Sequence, residues 1–242
     1  MIQLIQGNAL DVIKTLEGKF DAIITDPPYA SGGSSLSEKQ KSTAEKYTSS
    51  KARCPYPDFE GENMDQRSWT RFMREVLEAG RGLCNPGAVC ALFVDWRQLP
   101  VLSDAMQWAG WTWRGTVVWD KISSRPQKGR FRQQAEFVLW GSNGKLPIDR
   151  PVPVLPGLYR AANVSTAERQ HQTQKPLQVM RDLVKICVPG GRILDPFAGS
   201  GTTLEAARLE GYEAVGVELS EEIARGAIER LEMAGDHSSY AG

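Results

Sequence analysis

The stretch Ala22-Ile23-Ile24-Thr25-Asp26-Pro27-Pro28-Tyr29 places a carboxylate and an aromatic ring directly after a short apolar run. The run predicts a buried strand that ends at Asp26. Proline fixes φ at about −65° and disfavours helical conformations in the residue before it. The two prolines therefore predict a stiff turn whose carbonyl groups are free acceptors. The pattern also fits an ordinary strand-ending turn, in which Asp and Pro are common for local reasons.

The same arrangement recurs in Asp195-Pro196-Phe197-Ala198-Gly199-Ser200-Gly201-Thr202-Thr203, which follows the apolar pair Ile193-Leu194 and opens a predicted helix. Gly199 and Gly201 allow the backbone to approach a ligand closely at the helix N-terminus. Glu218 ends the next predicted strand, about 20 residues further on, where an acid can accept hydrogen bonds from two ribose hydroxyls. Because the third glycine of the dinucleotide fingerprint is missing, the pattern favours an adenosine-type cofactor. The two strand ends are predicted to share one crevice.

Strands and helices alternate along most of the chain, which predicts an α/β fold with a mostly parallel sheet and helices on both faces. Apolar residues at helical spacing predict a helix over residues 68–83, and the continuous apolar run 88–94 predicts a strand covered on both faces. Pro176 is predicted as the first residue of a further helix. Segments 111–119 and 135–140 follow each other without an intervening helix, so they are predicted to pair as an antiparallel hairpin.

Composition limits the possible classes of protein. The chain has 242 residues, of which 41% are hydrophobic and 24% charged, so we expect a single domain over residues 1–242. The four cysteines and two histidines show no metal-ligand spacing, and we expect no metal. The sequence has no basic segment followed by an apolar one at its start and no apolar run near the ~20 residues that span a bilayer. We therefore expect a cytoplasmic protein without a membrane partner.

Two segments are predicted to be irregular insertions. Residues from about 30 to 66 carry many Ser, Gly, Lys and Glu but few aliphatic residues, and they directly follow Tyr29. A loop of this length predicts a mobile lid or binding loop, although a passive disordered insertion has the same composition. Residues from about 142 to 172 hold several Pro and Gly with little periodicity. They predict a small target-recognition insert or a surface loop.

One connection is strongly basic. The formal net charge is zero, so attraction to a polyanion must come from a local surface. Between the two hairpin strands, Asp120 is the only acid, and the aromatic Phe131 stands among five cations: Lys121, Arg125, Lys128, Arg130 and Arg132. A charge run is often just a solvated loop, but this one has a single sign, and we predict that it contacts nucleic-acid phosphates.

Four motifs resemble those of the β-class DNA amino-methyltransferases, including small phage-borne and restriction-type members. They are Gly-Asn-Ala-Leu at 7–10, Asp-Pro-Pro-Tyr at 26–29, His-Gln-Thr-Gln-Lys-Pro at 171–176 and the glycine-rich stretch at 195–203. The resemblance covers nearly the whole chain and has the catalytic motif first and the cofactor motif last. It implies a circularly permuted Rossmann-like methyltransferase fold that binds S-adenosylmethionine and acts on double-stranded DNA, with a homodimer as a possible assembly.

The resemblance also implies roles for individual residues. It assigns Asp26, Pro27, Pro28 and Tyr29 to catalysis. Its cofactor-binding residues would be Asn8, Ala9, Asp26, Thr173, Lys175, Asp195, Phe197, Ala198, Gly199, Ser200, Gly201, Thr202, Thr203, Glu218 and Leu219. For Asn8 the residue pattern itself leaves two roles open, because Asn at this position would equally serve as the N-cap of the following helix.

The chemistry of the first motif fits such a reaction. An exocyclic base amine is a poor nucleophile because its lone pair is delocalised into the ring, and inside a duplex it cannot be reached, so the base must be flipped out. Asp26 and the Pro27 carbonyl could accept its two N–H bonds and expose the lone pair to the methyl donor, while Tyr29 stacks on the ring. Stabilising only that distorted state is differential transition-state binding.

Two target bases fit the motif. Asp before Pro-Pro-Tyr favours adenine N6 by resemblance, and cytosine N4 could occupy the same pocket. Methylation of RNA or of a protein glutamine uses related pockets, typically with Asn as the first residue, and the basic connection favours a nucleic acid. A nucleotide-dependent oxidoreductase or a non-catalytic binding module would rest on the fold alone.

Overall fold

The structure is a computed structural model that describes residues 1–29, 64–122, 126, 128–162 and 175–236. Its strands are β1 (Ile2–Gln6), β2 (Phe20–Thr25), β3 (Cys84–Val94), β4 (Thr112–Asp120), β5 (Ala135–Ser142), β6 (Leu158–Arg160), β7 (Arg192–Asp195) and β8 (Glu213–Glu218). Its helices are α1 (Ala9–Thr15), α2 (Gln66–Gly82), α3 (Leu99–Trp108), α4 (Leu177–Val184), α5 (Thr202–Leu209) and α6 (Glu221–Asp236).

All eight strands form one sheet in the order β1-β8-β7-β2-β3-β5-β4-β6. Neighbouring strands are parallel except that β5 is antiparallel to both β3 and β4. The predicted hairpin is confirmed, since Trp119 pairs with Glu136 and Asp120 with Ala135. The α/β fold with a mostly parallel sheet is therefore confirmed.

The side chains of β2 enter two separate hydrophobic cores, one on each face of the sheet, with an irregularity between Phe20 and Ala22. Phe20 and Ile23 pack in one core with side chains of α1, α2 and α3. Ala22 and Ile24 pack in the other with side chains of α4 and α5. Successive side chains of a strand point to opposite faces, so a central strand covered by helices on both sides needs an almost unbroken apolar sequence. This requirement explains the run Ala22-Ile23-Ile24.

The chain leaves β2 and β7 in opposite directions across the sheet. From β7 it passes through α5 to β8 on one side, whereas from β2 it passes through α2 to β3 on the other. In an open α/β sheet, such a divergence leaves a crevice beyond the carboxyl ends of the two strands, where ligands bind. Asp195 ends β7 and Asp26 directly follows β2, so both acids lie at this crevice.

The structure corrects three predicted boundaries. Strand β3 begins at Cys84 rather than at residue 88, because Cys84 pairs with Phe20 before an irregularity in the register. Helix α4 begins at Leu177, with Pro176 as its N-cap rather than its first residue. Helix α2 begins at Gln66, because the Asp65 side chain accepts hydrogen bonds from two backbone N–H groups of the first turn.

Strand β6 is an element that the sequence did not predict. Its three residues pair with β4 inside the segment expected to be irregular, with Tyr159 opposite Trp119. A run of three residues is too short to show an alternating pattern. Residues 30–63, which hold nearly all of the predicted lid, and residues 163–174 of the predicted insert lie outside the described part of the chain. Among the described residues, no helix is both long and apolar enough to cross a membrane.

Candidate active site

The Asp-Pro-Pro-Tyr turn is held by two side chains from neighbouring elements. The indole Nε1 of Trp69, a buried residue of α2, donates to the Pro28 carbonyl at 2.5 Å. The Nε2 of Gln98, which precedes α3, donates to the Tyr29 carbonyl at 2.8 Å. The expectation that the carbonyls of this turn are free acceptors is therefore wrong for Pro28 and Tyr29. A buried indole N–H needs an acceptor, and the turn supplies one.

Both oxygens of the Asp26 carboxylate face donors of the protein. The Tyr29 hydroxyl donates to Oδ1 at 2.5 Å, and the Lys175 ammonium lies 2.7 Å from Oδ2. Burial raises the pKa of Asp26, and the charge of Lys175 opposes this effect. Burial and the neighbouring Asp26 also raise the pKa of the Tyr29 hydroxyl well above its ordinary value, so Tyr29 stays a neutral donor.

Lys175 links Asp26 to a second carboxylate. Its ammonium lies 3.2 Å from Oε2 of Glu136, and the other oxygen of Glu136 lies 2.9 Å from the ammonium of Lys121. Burial lowers the pKa of Lys175, but the two carboxylates outweigh it and raise the pKa overall. Burial also raises the pKa of Glu136, and the two lysines outweigh it in the opposite direction. We call these four residues, Asp26, Lys175, Glu136 and Lys121, the charge cluster.

Aromatic rings surround the central ammonium of the charge cluster. Lys175 Nζ lies 5.1 Å from the centre of the Phe93 ring and 6.0 Å from that of Trp119. The side chain of Lys175 is only 8% exposed. Ring faces attract a cation and also exclude water, which strengthens the ion pairs. Sequence reasoning placed Lys175 with the cofactor, whereas its ammonium lies against the catalytic motif. Thr173, predicted from the same motif, lies outside the described residues.

Asp195 and Thr25 connect the ends of β7 and β2. The Thr25 hydroxyl donates to Oδ1 of Asp195 at 2.5 Å, and the Phe197 backbone N–H donates to the same oxygen at 3.1 Å. Asp195 is 2% exposed, and burial raises its pKa to about 6. The acid therefore begins the glycine-rich turn as a buried, internally bonded group.

Glu218 fixes the conformation of the glycine-rich turn. Its two oxygens accept hydrogen bonds from the backbone N–H groups of Gly199, at 3.0 Å, and Ser220, at 2.8 Å. Burial raises the pKa of Glu218. Gly199 has a positive φ of 52°, and a Cβ added there would meet no atom within 4 Å. The turn thus combines a left-handed backbone, open space and an acid at the mouth of the crevice.

The other residues of the predicted cofactor site surround the same turn. Thr202 and Thr203 are buried in the first turn of α5, and Ala198, in the glycine-rich turn before it, is also buried. Asn8 is the N-cap of α1, since its side chain accepts a hydrogen bond from the Leu10 N–H at 3.0 Å. Of the two roles open for Asn8, the structure therefore shows the capping one. Contact between the cofactor and each residue of the predicted cofactor site stays a prediction.

The basic connection divides into two parts. Lys128, Arg130 and Arg132 are exposed, as is Phe131, whose side chain is 94% exposed. Lys121 is only 18% exposed and belongs to the charge cluster, because the hairpin register brings Glu136 next to the end of β4. Its contact with a phosphate stays a prediction. Arg125 lies outside the described residues.

Sequence reasoning missed three residues of this site: Trp69, Gln98 and Glu136. Trp69 and Gln98 gave no signal, because their bonds to the turn join parts of the chain far apart in sequence. Glu136 gave a weak one. It is a charged residue within the apolar predicted strand 135–140, and a charge in a buried strand is normally paired. Its partner could not be identified without the sheet order.

One strand, β5, runs against an otherwise parallel sheet, and the crevice lies where the chain diverges between β7 and β2. The family model described as DNA methylase, for N6 and N4 methyltransferases, matches residues 20–229, and the chain belongs to this family. Membership confirms the class of protein that the four motifs indicated.

Individual relatives agree with this membership. The type II methyltransferase M2.DpnII of Streptococcus pneumoniae is 26% identical over 239 residues, which cover 88% of this chain and 82% of that protein. The crystal structure of an M1.HpyAVI–SAM complex has a TM-score of 0.70 at 24% identity and covers 96% of this chain and 99% of that one. The cytosine-N4-specific PvuII DNA methyltransferase has a TM-score of 0.71 at 15% identity, with coverages of 97% and 90%. The two solved structures share the fold.

The raised pKa of Asp195 predicts a pH-dependent effect of the substitution Asp195→Asn. The folded pKa of about 6 exceeds the ordinary value of 3.8, so ionisation of Asp195 costs stability as the pH rises through that interval. Asn keeps an acceptor oxygen for Thr25 and Phe197 but carries no charge. The variant is expected to gain about 1–3 kcal/mol of unfolding free energy relative to wild type above pH 6, and to lose this advantage near pH 4.

Urea denaturation between pH 4 and pH 8 measures this difference. Asp104→Asn, which neutralises an exposed carboxylate of α3, is the control and should change stability by less than about 0.5 kcal/mol at every pH. An advantage of Asp195→Asn that is constant across the range would contradict the assigned cause.

Proposed function

We propose that this protein transfers the methyl group of S-adenosylmethionine to the exocyclic N6 of an adenine flipped out of double-stranded DNA. The observation that carries the proposal is the Asp26 carboxylate, whose two oxygens face hydrogen-bond donors at the mouth of the crevice. Membership of the DNA methylase family supports both the reaction type and the DNA substrate. The structural neighbour M1.HpyAVI, described as a SAM complex, supports the cofactor.

The residues at β7 and β8 fit an adenosine cofactor with an amino-acid group. Glu218 is a part-buried acid at a strand end, where it can accept bonds from two ribose hydroxyls, and open space lies beside Gly199. Asp195 and the backbone N–H groups at the start of α5 would hold the charged amino-acid part. When bound, the cofactor supplies a sulfonium methyl group that a nucleophile can displace.

The Asp-Pro-Pro-Tyr turn can accept hydrogen bonds from both N–H groups of an amine. Because the Pro28 and Tyr29 carbonyls are already bonded to Trp69 and Gln98, the Pro27 carbonyl is the acceptor that the turn can offer beside Asp26. Accepting both N–H bonds draws the nitrogen towards tetrahedral geometry and localises its lone pair. The arrangement is stronger in the transition state than in the ground state, which is the condition for catalysis. Tyr29 would stack on the flipped base.

Cytosine N4 is the second candidate target. Asp as the first residue of the motif favours adenine by resemblance, whereas the PvuII enzyme, which shares the fold, is cytosine-N4-specific. Both bases present an NH2 group on a six-membered ring, so the acceptors described above suit either. The choice therefore rests on the residue before Pro27.

The exposed cations Lys128, Arg130 and Arg132 support contact with the DNA backbone. They follow β4 and precede β5, in the connection that leaves the sheet at the crevice side. A duplex approaching the crevice would meet this connection, and phosphate contacts position a protein on DNA without reading its sequence.

Asp26→Ala is expected to abolish methyl transfer while leaving the affinity for S-adenosylmethionine within a few-fold of wild type. The substitution removes the base-binding acceptor and leaves the turn at residues 195–203 intact. Calorimetry measures cofactor binding, and transfer of a tritiated methyl group to DNA, RNA and protein measures activity. Glu232→Ala, on an exposed part of α6, is the control. Turnover retained by Asp26→Ala would remove Asp26 from the mechanism.

The second outcome to measure is the modified base. DNA from a host without its own amino-methylation, incubated with the protein and S-adenosylmethionine, is expected to yield N6-methyladenine and no N4-methylcytosine after digestion. Mass spectrometry of the nucleosides distinguishes them. The reverse result would establish cytosine as the target and leave the proposed acceptors unchanged.

Replacing Lys128 and Arg132 with Ala is expected to flatten the dependence of log K for DNA on log salt concentration by about 2, at roughly 0.9 per phosphate contact. Binding should weaken similarly on all duplexes, because these contacts do not read sequence. The matched control is Lys14→Ala with Arg225→Ala, which removes two exposed cations from α1 and α6. Equal slopes for the two double variants would mean that the connection is only solvated.

A further inference from the structure

Each oxygen of Asp26 already faces a protein partner with which an incoming base amine would compete. Its Oδ1 accepts the Tyr29 hydroxyl at 2.5 Å, and its Oδ2 lies 2.7 Å from the Lys175 ammonium. Tyr29 leaves Oδ1 when its ring moves to stack on a base. Lys175 is different, because an ammonium cannot leave a carboxylate in a water-poor site without another anion to receive it.

Glu136 is that anion. Its Oε2 lies 3.2 Å from the same ammonium that contacts Asp26. The three donors of an ammonium allow it to face both carboxylates, and a small rotation at the end of the lysine stem would exchange one for the other. The rings of Phe93 and Trp119 flank the ammonium, so the movement stays beside aromatic faces.

The charge cluster is balanced only as a whole. It contains two carboxylates, Asp26 and Glu136, and two ammonium groups, Lys175 and Lys121. Buried ion pairs seldom add net stability, since desolvation offsets their attraction, whereas removing one partner leaves a costly uncompensated charge. A cluster of this kind beside a catalytic acid is therefore better explained by its effect on that acid.

We propose that Lys175 and Glu136 are positioning residues for the methyl transfer: Lys175 holds the Asp26 carboxylate in place before the base arrives, and Glu136 receives the Lys175 ammonium when the amine donates to Asp26. The inference rests on the proposed function, because it takes Asp26 as the acceptor for the amine. It adds a residue to the mechanism, since Glu136 lies on β5, outside the four motifs.

Lys175 and Glu136 change the pKa of Asp26 in opposite directions. The groups that face Asp26 are Lys175 and Tyr29, the carboxylates Glu136 and Asp195, and Lys121 behind Glu136. Without the cation of Lys175, burial and Glu136 act unopposed, so the pKa of Asp26 rises. Without the charge of Glu136, Lys175 serves Asp26 alone, so the pKa of Asp26 falls.

Lys175→Met, Glu136→Gln and the double variant test the proposal. The rate of methyl transfer to amino-methylation-free genomic DNA is measured against pH, and carbon NMR of the Asp26 carboxyl is titrated in the free protein. In Lys175→Met we expect the carboxyl titration and the acid limb of the rate profile to move up by about one pH unit or more. In the double variant both should move back towards wild type, because Asp26 no longer faces the negative charge of Glu136.

Glu136→Gln provides the decisive comparison. It makes Asp26 easier to ionise, so an effect on ionisation alone would leave kcat equal to wild type or raise it at low pH. The proposed transfer of the ammonium predicts the opposite, a loss of kcat of about ten- to a hundredfold at every pH, because Lys175 stays on the oxygen that the amine needs. The dissociation constant of S-adenosylmethionine should stay within about threefold of wild type, which separates this effect from a damaged site.

Wild-type kcat in Glu136→Gln would overturn the proposal, as would an Asp26 titration that is the same in Lys175→Met and wild type. If Lys175→Met does not fold, the Glu136→Gln titration and rate decide alone, since the glutamine is isosteric. The proposed function fails on a different result, turnover by Asp26→Ala, and the carboxyl titration needs no activity. The two failures are therefore distinguishable.

Discussion

The hydrogen bond from Thr25 to Asp195 joins the two halves of this site. It connects the end of β2 to the end of β7, where the chain diverges across the sheet. The β7 side carries the glycine-rich turn and Glu218, to which the proposed function assigns the cofactor, and the β2 side carries Asp26, to which it assigns the group to be modified. A methyl transfer needs its two reactants aligned to within a fraction of an ångström. One buried bond at the junction supplies part of that constraint.

The carboxyl groups of Asp195 and Asp26, on the two sides of this junction, have different partners. On the β7 side, Asp195 is buried with neutral donors, so its pKa rises to about 6. On the β2 side, the charge cluster surrounds Asp26 with a cation and a second anion that compete through burial and attraction. In a water-poor crevice these interactions are far stronger than at the surface. The same residue type is therefore bonded to neutral donors at one strand end and paired with a cation at the other.

The sequence predicted the parts of the protein that depend on local patterns. The apolar run of β2, the hairpin and the two strand-end motifs each occupy a short continuous stretch. The order of the two motifs along the chain can also be read directly from the sequence. The charge cluster could not be predicted, because Lys175 and Glu136 meet only through the strand order and the register of β4 with β5. For the same reason the basic connection was predicted as one surface, although Lys121 turns inward. Strand β6 is too short to carry a pattern.

The reversal of β5 decides which residues reach the crevice from the outer half of the sheet. A strand parallel to its neighbours offers only its last residues to this side, but β5 runs the other way, so its second residue, Glu136, arrives there instead. The connection from β4 then leaves and returns on the crevice side, and both its ends are fixed in the sheet. Insertions or deletions between residues 122 and 134 would change how far its cations extend without moving Glu136. The reach of the exposed cations and the position of Glu136 in the charge cluster are therefore set by separate parts of the chain.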